Sequence, residues 1–210
     1  MKWSVAVWLV VLLGLVTPTH AEIVTEAVEY EHNGVKLVGY LAYDDAIENP
    51  APGVLVIHEW WGLNDYAKKR TRLLAELGYV AFAADMYGEG KTTTDAGQAS
   101  RWSGELYNNT DLWRARASAG LNQLTTHKNV DASKCFAIGY CFGGSTVTQL
   151  AYAGAPLKGV VSFHGSLPTP KAGETAKIKA ELLICHGEAD PLVPTDKVVA
   201  FKAKLDELKA

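Results

Sequence analysis

Three short segments carry side chains that could do covalent chemistry together. Gly139-Tyr140-Cys141-Phe142-Gly143-Gly144 follows an apolar run and precedes a helical pattern. This is a glycine–x–nucleophile–x–glycine elbow with cysteine in the nucleophile's place. The strained turn presents the side chain, and its glycines leave room for neighbouring backbone that any Cβ would strike. The helix N-terminus behind it favours a thiolate, so a lowered thiol pKa is expected. Asp190 closes His186-Gly187-Glu188-Ala189-Asp190, just after the apolar run Leu182-Leu183-Ile184-Cys185. An acid there, on a strand later than the nucleophile's, can orient a histidine base and stabilise its imidazolium. The third segment is Val56-Ile57-His58-Glu59-Trp60-Trp61-Gly62. A loop in this position supplies one backbone N–H to a developing oxyanion, and the residue after the nucleophile supplies the other. Here these are the N–H groups of Trp60 and Phe142. Glu59 is an acid where simple esterases have none, which points to a role beside the thiol.

The elements that must position these segments can be read from apolar patterning. Thr25 to Tyr43 alternates apolar and polar residues around Asn33-Gly34, as two strands joined by a turn do. Val54–Ile57, Tyr79–Ala84, Cys135–Ile138, Val160–Phe163 and Leu182–Cys185 are continuous apolar runs, the pattern of strands buried on both faces. Helices are expected over Asn64–Leu77, with Leu73, Leu74 and Leu77 inward and Gly78 as the stop, and over Asp111–Leu124 with Thr110 as N-cap. Further helices are expected over Gly144–Ala153 and from about Thr195. Residues 88–109, rich in Gly, Thr and Asn, read as a loop with a short helix. Strands alternating with helices imply an α/β fold, a mostly parallel sheet with helices on both faces. Ligands of such sheets bind beyond the carboxyl ends of the strands, where all three segments fall.

The chain, at 210 residues, suffices for one domain with a substantial core, and a fifth of it is charged. Residues 1–21 stand apart. Lys2 is followed by the apolar run Trp3–Val16 and by Thr17-Pro18-Thr19-His20-Ala21, the order of a secretory signal cut after Ala21. The alternative, a membrane anchor, needs about 20 apolar residues and a basic flank that this run lacks. Residues 22–210 would then be the exported domain, periplasmic or secreted, with no membrane attachment after cleavage. Without Lys2 the remainder carries 19 Lys and Arg against 23 Asp and Glu. That weak acidic balance gives no reason to expect nucleic acid as a partner. Of the cysteines, Cys135 and Cys185 lie in strand-like runs and read as buried and inert. An odd count of three leaves at least one thiol free.

The sequence resembles the dienelactone hydrolase family of the α/β-hydrolase fold. The resemblance spans about residues 25–210 and rests on His58-Glu59-Trp60-Trp61-Gly62-Leu63-Asn64, Ala84-Asp85-Met86-Tyr87-Gly88, the Cys141 elbow and His186-Gly187-Glu188-Ala189-Asp190. It implies a Cys–His–Asp triad that includes Cys141 and Asp190, and a carboxylate, Glu59, that holds the resting thiol and helps form the thiolate. The implied reaction is hydrolysis of a lactone or small activated ester through a thioester, without metal or organic cofactor. The implied partner is a small-molecule ester or lactone.

Two departures from the family pattern qualify this. The triad histidine is expected about thirty residues beyond the Asp, which from Asp190 lies past Ala210. None of the six histidines, His20, His32, His58, His127, His164 and His186, stands in that place. The chain therefore reads as lacking the last strand, the histidine loop and the closing helix. Dienelactone-specific members also carry an Arg shortly after the Asp-x-Tyr turn. Here Gly88-Glu89-Gly90 follows, with Lys91 and Arg101 as the nearest cations. Beside the hydrolase stand a catalytically impaired hydrolase-fold binding protein, favoured by the missing histidine, and a redox protein using a low-pKa thiol. The latter is opposed by the lack of a second cysteine near Cys141.

Overall fold

The structure, a computed structural model, describes residues 22–208. Its centre is a seven-stranded sheet of order β1-β2-β4-β3-β5-β6-β7. Strands β1 (Ile23–His32) and β2 (Val35–Asp44) pair antiparallel from Ile23↔Asp44 to His32↔Val35. Asn33 (φ 52°) and Gly34 (φ 77°) both take positive φ at the turn, which suits a two-residue hairpin. Strand β2 also pairs antiparallel with β4 (Val80–Ala84). From β4 onward, β3 (Ala51–Ile57), β5 (Val130–Tyr140), β6 (Gly159–Phe163) and β7 (Glu181–Cys185) run parallel.

Five helices cover the sheet: α1 (Asp65–Glu76), α2 (Ala96–Tyr107), α3 (Thr110–Thr125), α4 (Phe142–Tyr152) and α5 (Thr195–Glu207). Helix α1 has the expected limits, with Asn64 Oδ1 accepting from the Ala67 N–H and Gly78 at φ 87° beyond its end. Its inward face differs from expectation. Ala67, Thr71 and Ala75 are buried, whereas Leu73 and Leu77 are exposed. Small residues at this spacing let the helix lie close to the sheet; Leu74 packs against the core beside Ala67 as expected, and Leu73 and Leu77 fall outside that stripe. Residues 88–109 hold a full three-turn helix, α2, capped by Asp95. Asn109, not Thr110, caps α3; its Oδ1 accepts from the Leu112 N–H at 3.0 Å. Helix α4 starts at Phe142, two residues before expectation, because the elbow runs straight into its first turn.

The last two strands are less enclosed than their apolar runs implied. Central β3 is buried from Gly53 to Ile57, and β4 throughout. In β7, Glu181 and Leu183 are exposed, because this strand forms the sheet's margin. The proposed signal, residues 1–21, lies outside the described residues. Among those described, no helix is long and apolar enough to cross a membrane.

Candidate active site

The parallel register sets the strand ends in a row. Ile57 pairs with Gly139, Tyr140 with Phe163, and Phe163 with Cys185. The chain thus leaves the sheet at His58, Cys141, His164 and His186, side by side. Two bonds extend the ladder past the strands: Cys141 N–H to Phe163 O at 2.8 Å, and His164 N–H to Cys185 O at 3.0 Å.

Cys141 has φ 54° and ψ −114°, a conformation L-residues rarely adopt, as an elbow nucleophile requires. The turn closes only because its neighbours lack side chains. A Cβ on Gly139 would sit 2.0 Å from Gly143 O, and one on Gly143 would sit 2.3 Å from Ile57 O. Helix α4 is buried along its whole length. The Phe142 ring packs against His58, Tyr87, Tyr107 and Trp113, with centroids 5.6–5.9 Å away. That packing fixes the backbone N–H of Phe142 beside the thiol.

The electrostatics correct one expectation. The Cys141 thiol is pushed above its ordinary pKa, first by burial; the Phe142 N–H pulls it down, and the charges of Glu59 and Asp190 push it up again. The resting group is therefore a thiol, and the helix N-terminus alone does not make it a thiolate. Burial likewise raises the Glu59 carboxyl, against an opposing pull from His164.

Asp190 is the most fully bonded of these groups. Its Oδ1 accepts from the N–H groups of Leu192 (2.9 Å) and Val193 (3.2 Å). Its Oδ2 accepts from His164 Nδ1. Burial would raise this carboxyl, but the Leu192 and Val193 N–H groups and the His164 imidazole outweigh it, so its pKa lies below the ordinary value. His164 ends a strand near the site without standing where chain order puts a triad histidine, and the structure makes it the imidazole partner of Asp190 within the chain. With Nδ1–H donated to Asp190, Nε2 carries a lone pair. The ring is 40% exposed, and its residue has φ 58°. His186 is different: its Nε2 donates to Val193 O at 2.5 Å and so holds the loop.

Glu59, Cys141, His164 and Asp190 therefore form one electrostatically connected group. Lys91 is ion-paired with Glu89 at 3.3 Å, and Arg101 donates to Gln98 on α2. Cys135 is buried as expected, whereas Cys185 is partly accessible at the margin strand. Among the described residues, no cluster of three or more His, Cys, Asp or Glu side chains could hold a metal ion.

A mostly parallel sheet with a nucleophile-type elbow and a His–Asp pair at its carboxyl edge defines an α/β-hydrolase. The comparisons carry this to a family. The model of the dienelactone hydrolase family matches residues 37–210, and the chain belongs to that family. It is 32% identical over 187 residues to a protein named usf from Aquifex pyrophilus, covering 86% of this chain and 78% of that one. It is 31% identical over 195 residues to a Saccharolobus solfataricus protein provisionally named a carboxymethylenebutenolidase, covering 77% and 74%. Among solved structures, a dienelactone hydrolase-like promiscuous phosphotriesterase from metagenomic libraries superposes with TM-score 0.86 at 40% identity, over 90% of this chain and 78% of that one. The protein is accordingly an ester-hydrolysing enzyme, acting on lactone or ester substrates.

Proposed function

We propose that this enzyme cleaves lactones or small activated carboxylic esters through a thioester on Cys141, with His164 as proton carrier. The observation that carries this reading is the His164–Asp190 pair, with His164 at the end of the strand next to the Cys141 elbow and Asp190 on the loop after the following strand. Sγ attacks the ester carbonyl, and the thiol proton passes to Nε2 of His164. Asp190 holds the resulting imidazolium in place. The oxyanion is met by the N–H groups of Trp60 and Phe142. Collapse breaks the C–O bond, and the leaving alkoxide takes the proton back from His164. Water then attacks the thioester, giving its proton to Nε2, and the carboxylic acid leaves as the thiol re-forms. Glu59 disfavours thiolate in the empty site, which protects the sulfur from oxidation between turnovers. No step needs a metal or organic cofactor. The family relation to a phosphotriesterase makes phosphotriesters a second substrate class to present to the same thiol.

We also propose export, on the strength of Lys2, the Trp3–Val16 run and Ala21. N-terminal sequencing of the mature protein should begin at Glu22; a mature protein starting at Met1 contradicts cleavage.

The mechanistic test is p-nitrophenyl acetate hydrolysis followed from milliseconds to minutes. Wild type should turn over repeatedly, and Cys141→Ala should not. His164→Ala should lose about 10²–10⁴-fold in both acylation and steady turnover, the usual contribution of a general base, because the resting Cys141 is a thiol whose proton Nε2 takes in the first step. Steady turnover unchanged in His164→Ala would show that another group serves as base.

A further inference from the structure

His58 is wholly buried, and the mechanism above does not use it. Its ring has two defined partners. The Met86 N–H donates to Nε2 at 3.3 Å, so Nε2 is an acceptor. Nδ1 meets the carbonyl oxygen of Glu59, which can only accept, so Nδ1 carries the proton. Both contacts require the same neutral tautomer, and burial lowers the pKa of the ring, which keeps it neutral.

The bonded carbonyl is the other end of the peptide unit that contains the Trp60 N–H. A trans peptide is planar, with C=O and N–H pointing in opposite directions. A donor that fixes the Glu59 carbonyl toward the interior therefore aims the Trp60 N–H outward. A bond to the carbonyl also polarises the N–H of the same unit. The next peptide is held in the same way, by Tyr87 Oη donating to Trp60 O at 3.0 Å. The His58 ring further stacks on Phe142, the other donor residue, at 5.8 Å between centroids.

We infer that His58 is a positioning residue for the oxyanion hole: its Nδ1–H locks the Glu59–Trp60 peptide so that the Trp60 N–H faces the substrate carbonyl. This rests on the thioester reading above. Its role is in the transition state, so its loss should lower the acylation rate and leave KM in place.

Two variants separate the ring's halves. His58→Asn keeps a donor near the Nδ1 position and loses the Met86 contact. His58→Gln reaches the Nε2 position and loses the donor to Glu59. Acylation by p-nitrophenyl acetate should be about 10- to 100-fold slower in His58→Gln at unchanged KM. Binding of a trifluoromethyl ketone, whose hemithioketal oxyanion mimics the tetrahedral state, should weaken in proportion. His58→Asn should acylate within a few-fold of wild type, although both variants melt earlier. Equal loss in both, in step with Tm, or wild-type acylation in His58→Gln, overturns the inference. A wild-type protein with no acyl adduct on Cys141 overturns the thioester reading itself, and that result is visible before any His58 variant is made. Should neither variant fold, ¹⁵N-histidine spectra of wild type decide: a neutral Nδ1–H tautomer is expected, and an Nε2–H tautomer overturns the inference.

Discussion

The two halves of the candidate site are built differently. The half on β3 and β5 holds the elbow and the proposed oxyanion loop at the centre of the sheet. There Ile57, His58 and Phe142 are fully buried, and α4 begins in contact with β3 backbone. The half on β6 and β7 holds His164 and Asp190 at the margin. Nearby, Leu183 is 57% exposed, Leu192 71% and Val199 63%. Nucleophile and oxyanion donors must be fixed to fractions of an ångström, which central packing provides. A proton carrier must be oriented and still reach water, which suits a half-exposed ring tied by one carboxylate. Geometry is set by the core, and the orientation of the proton carrier by a few bonds at the edge.

The sharpest way to break this contrast is to substitute a small residue in each half. Gly143→Ala places a Cβ 2.3 Å from Ile57 O and 2.7 Å from His58 O, against backbone that cannot move aside. We expect a loss of about 4 kcal/mol or more, or no soluble protein. Leu183→Ala, at an exposed position, should change stability by about 0.5 kcal/mol or less. Urea midpoints of the two variants check this, and a tolerated Gly143→Ala would sink the claim that the centre sets the geometry.

Asp190→Asn tests the edge. The side-chain carbonyl of the variant can still accept from Leu192 and Val193, so the loop should hold. Its amide nitrogen, in the place of Oδ2, cannot accept from His164 Nδ1, so the ring is released from its tautomer and orientation. Acylation and steady turnover should both fall about 10²–10⁴-fold, because His164 takes the thiol proton in the first step and the water proton in the second. Wild-type turnover in this variant would mean that the Asp190 pairing does not hold the base in place. Asp190 also has a sign for stability. Its pKa is lowered in the fold, so its contribution is present above the unfolded value near 4 and is lost as pH falls through the folded value. Asp190→Asn should flatten that acid limb of the melting curve.

Much of the central half was legible in the sequence, because it depends on local pattern. Apolar runs marked the strands, and glycine spacing marked the elbow, down to Cys141 and Phe142. Glu59 and Trp60 stand just past the end of β3, where the apolar run places them. What could not be read depends on register and burial. His164 becomes the partner of Asp190 only because Phe163 pairs with Cys185 and the loop after β7 folds back over β6. Chain order pointed instead to a histidine further on. The thiol's pKa had the wrong expected sign because a helix N-terminus is visible in sequence, whereas desolvation is not. Helix α2 was hidden by Gly97, Ser100, Ser103 and Gly104, poor helix formers that packing overrides. The inward face of α1 follows Ala67, Thr71 and Ala75, so of the three leucines only Leu74 reaches the core.

The smallest expected effect links the two halves through Glu59. Burial raises its pKa, so the folded state binds its proton more tightly than the unfolded chain does. A raised pKa gives stability that is full below the unfolded value and is lost as pH rises through the folded value. Glu59→Gln removes that loss. At pH 7–8 the variant should melt about 1–2 °C higher than wild type, a small shift because the group is partly exposed and screened. Below pH 4 the two should coincide. The same substitution removes one of the charges that push the Cys141 thiol upward, while burial and Asp190 remain. Iodoacetamide labelling of Cys141 should therefore reach half its maximal rate at a lower pH in Glu59→Gln, with Cys185 unchanged as internal reference. If the Cys141 profile stays put, Glu59 does not govern the thiol, and control of its protonation would lie with burial and Asp190.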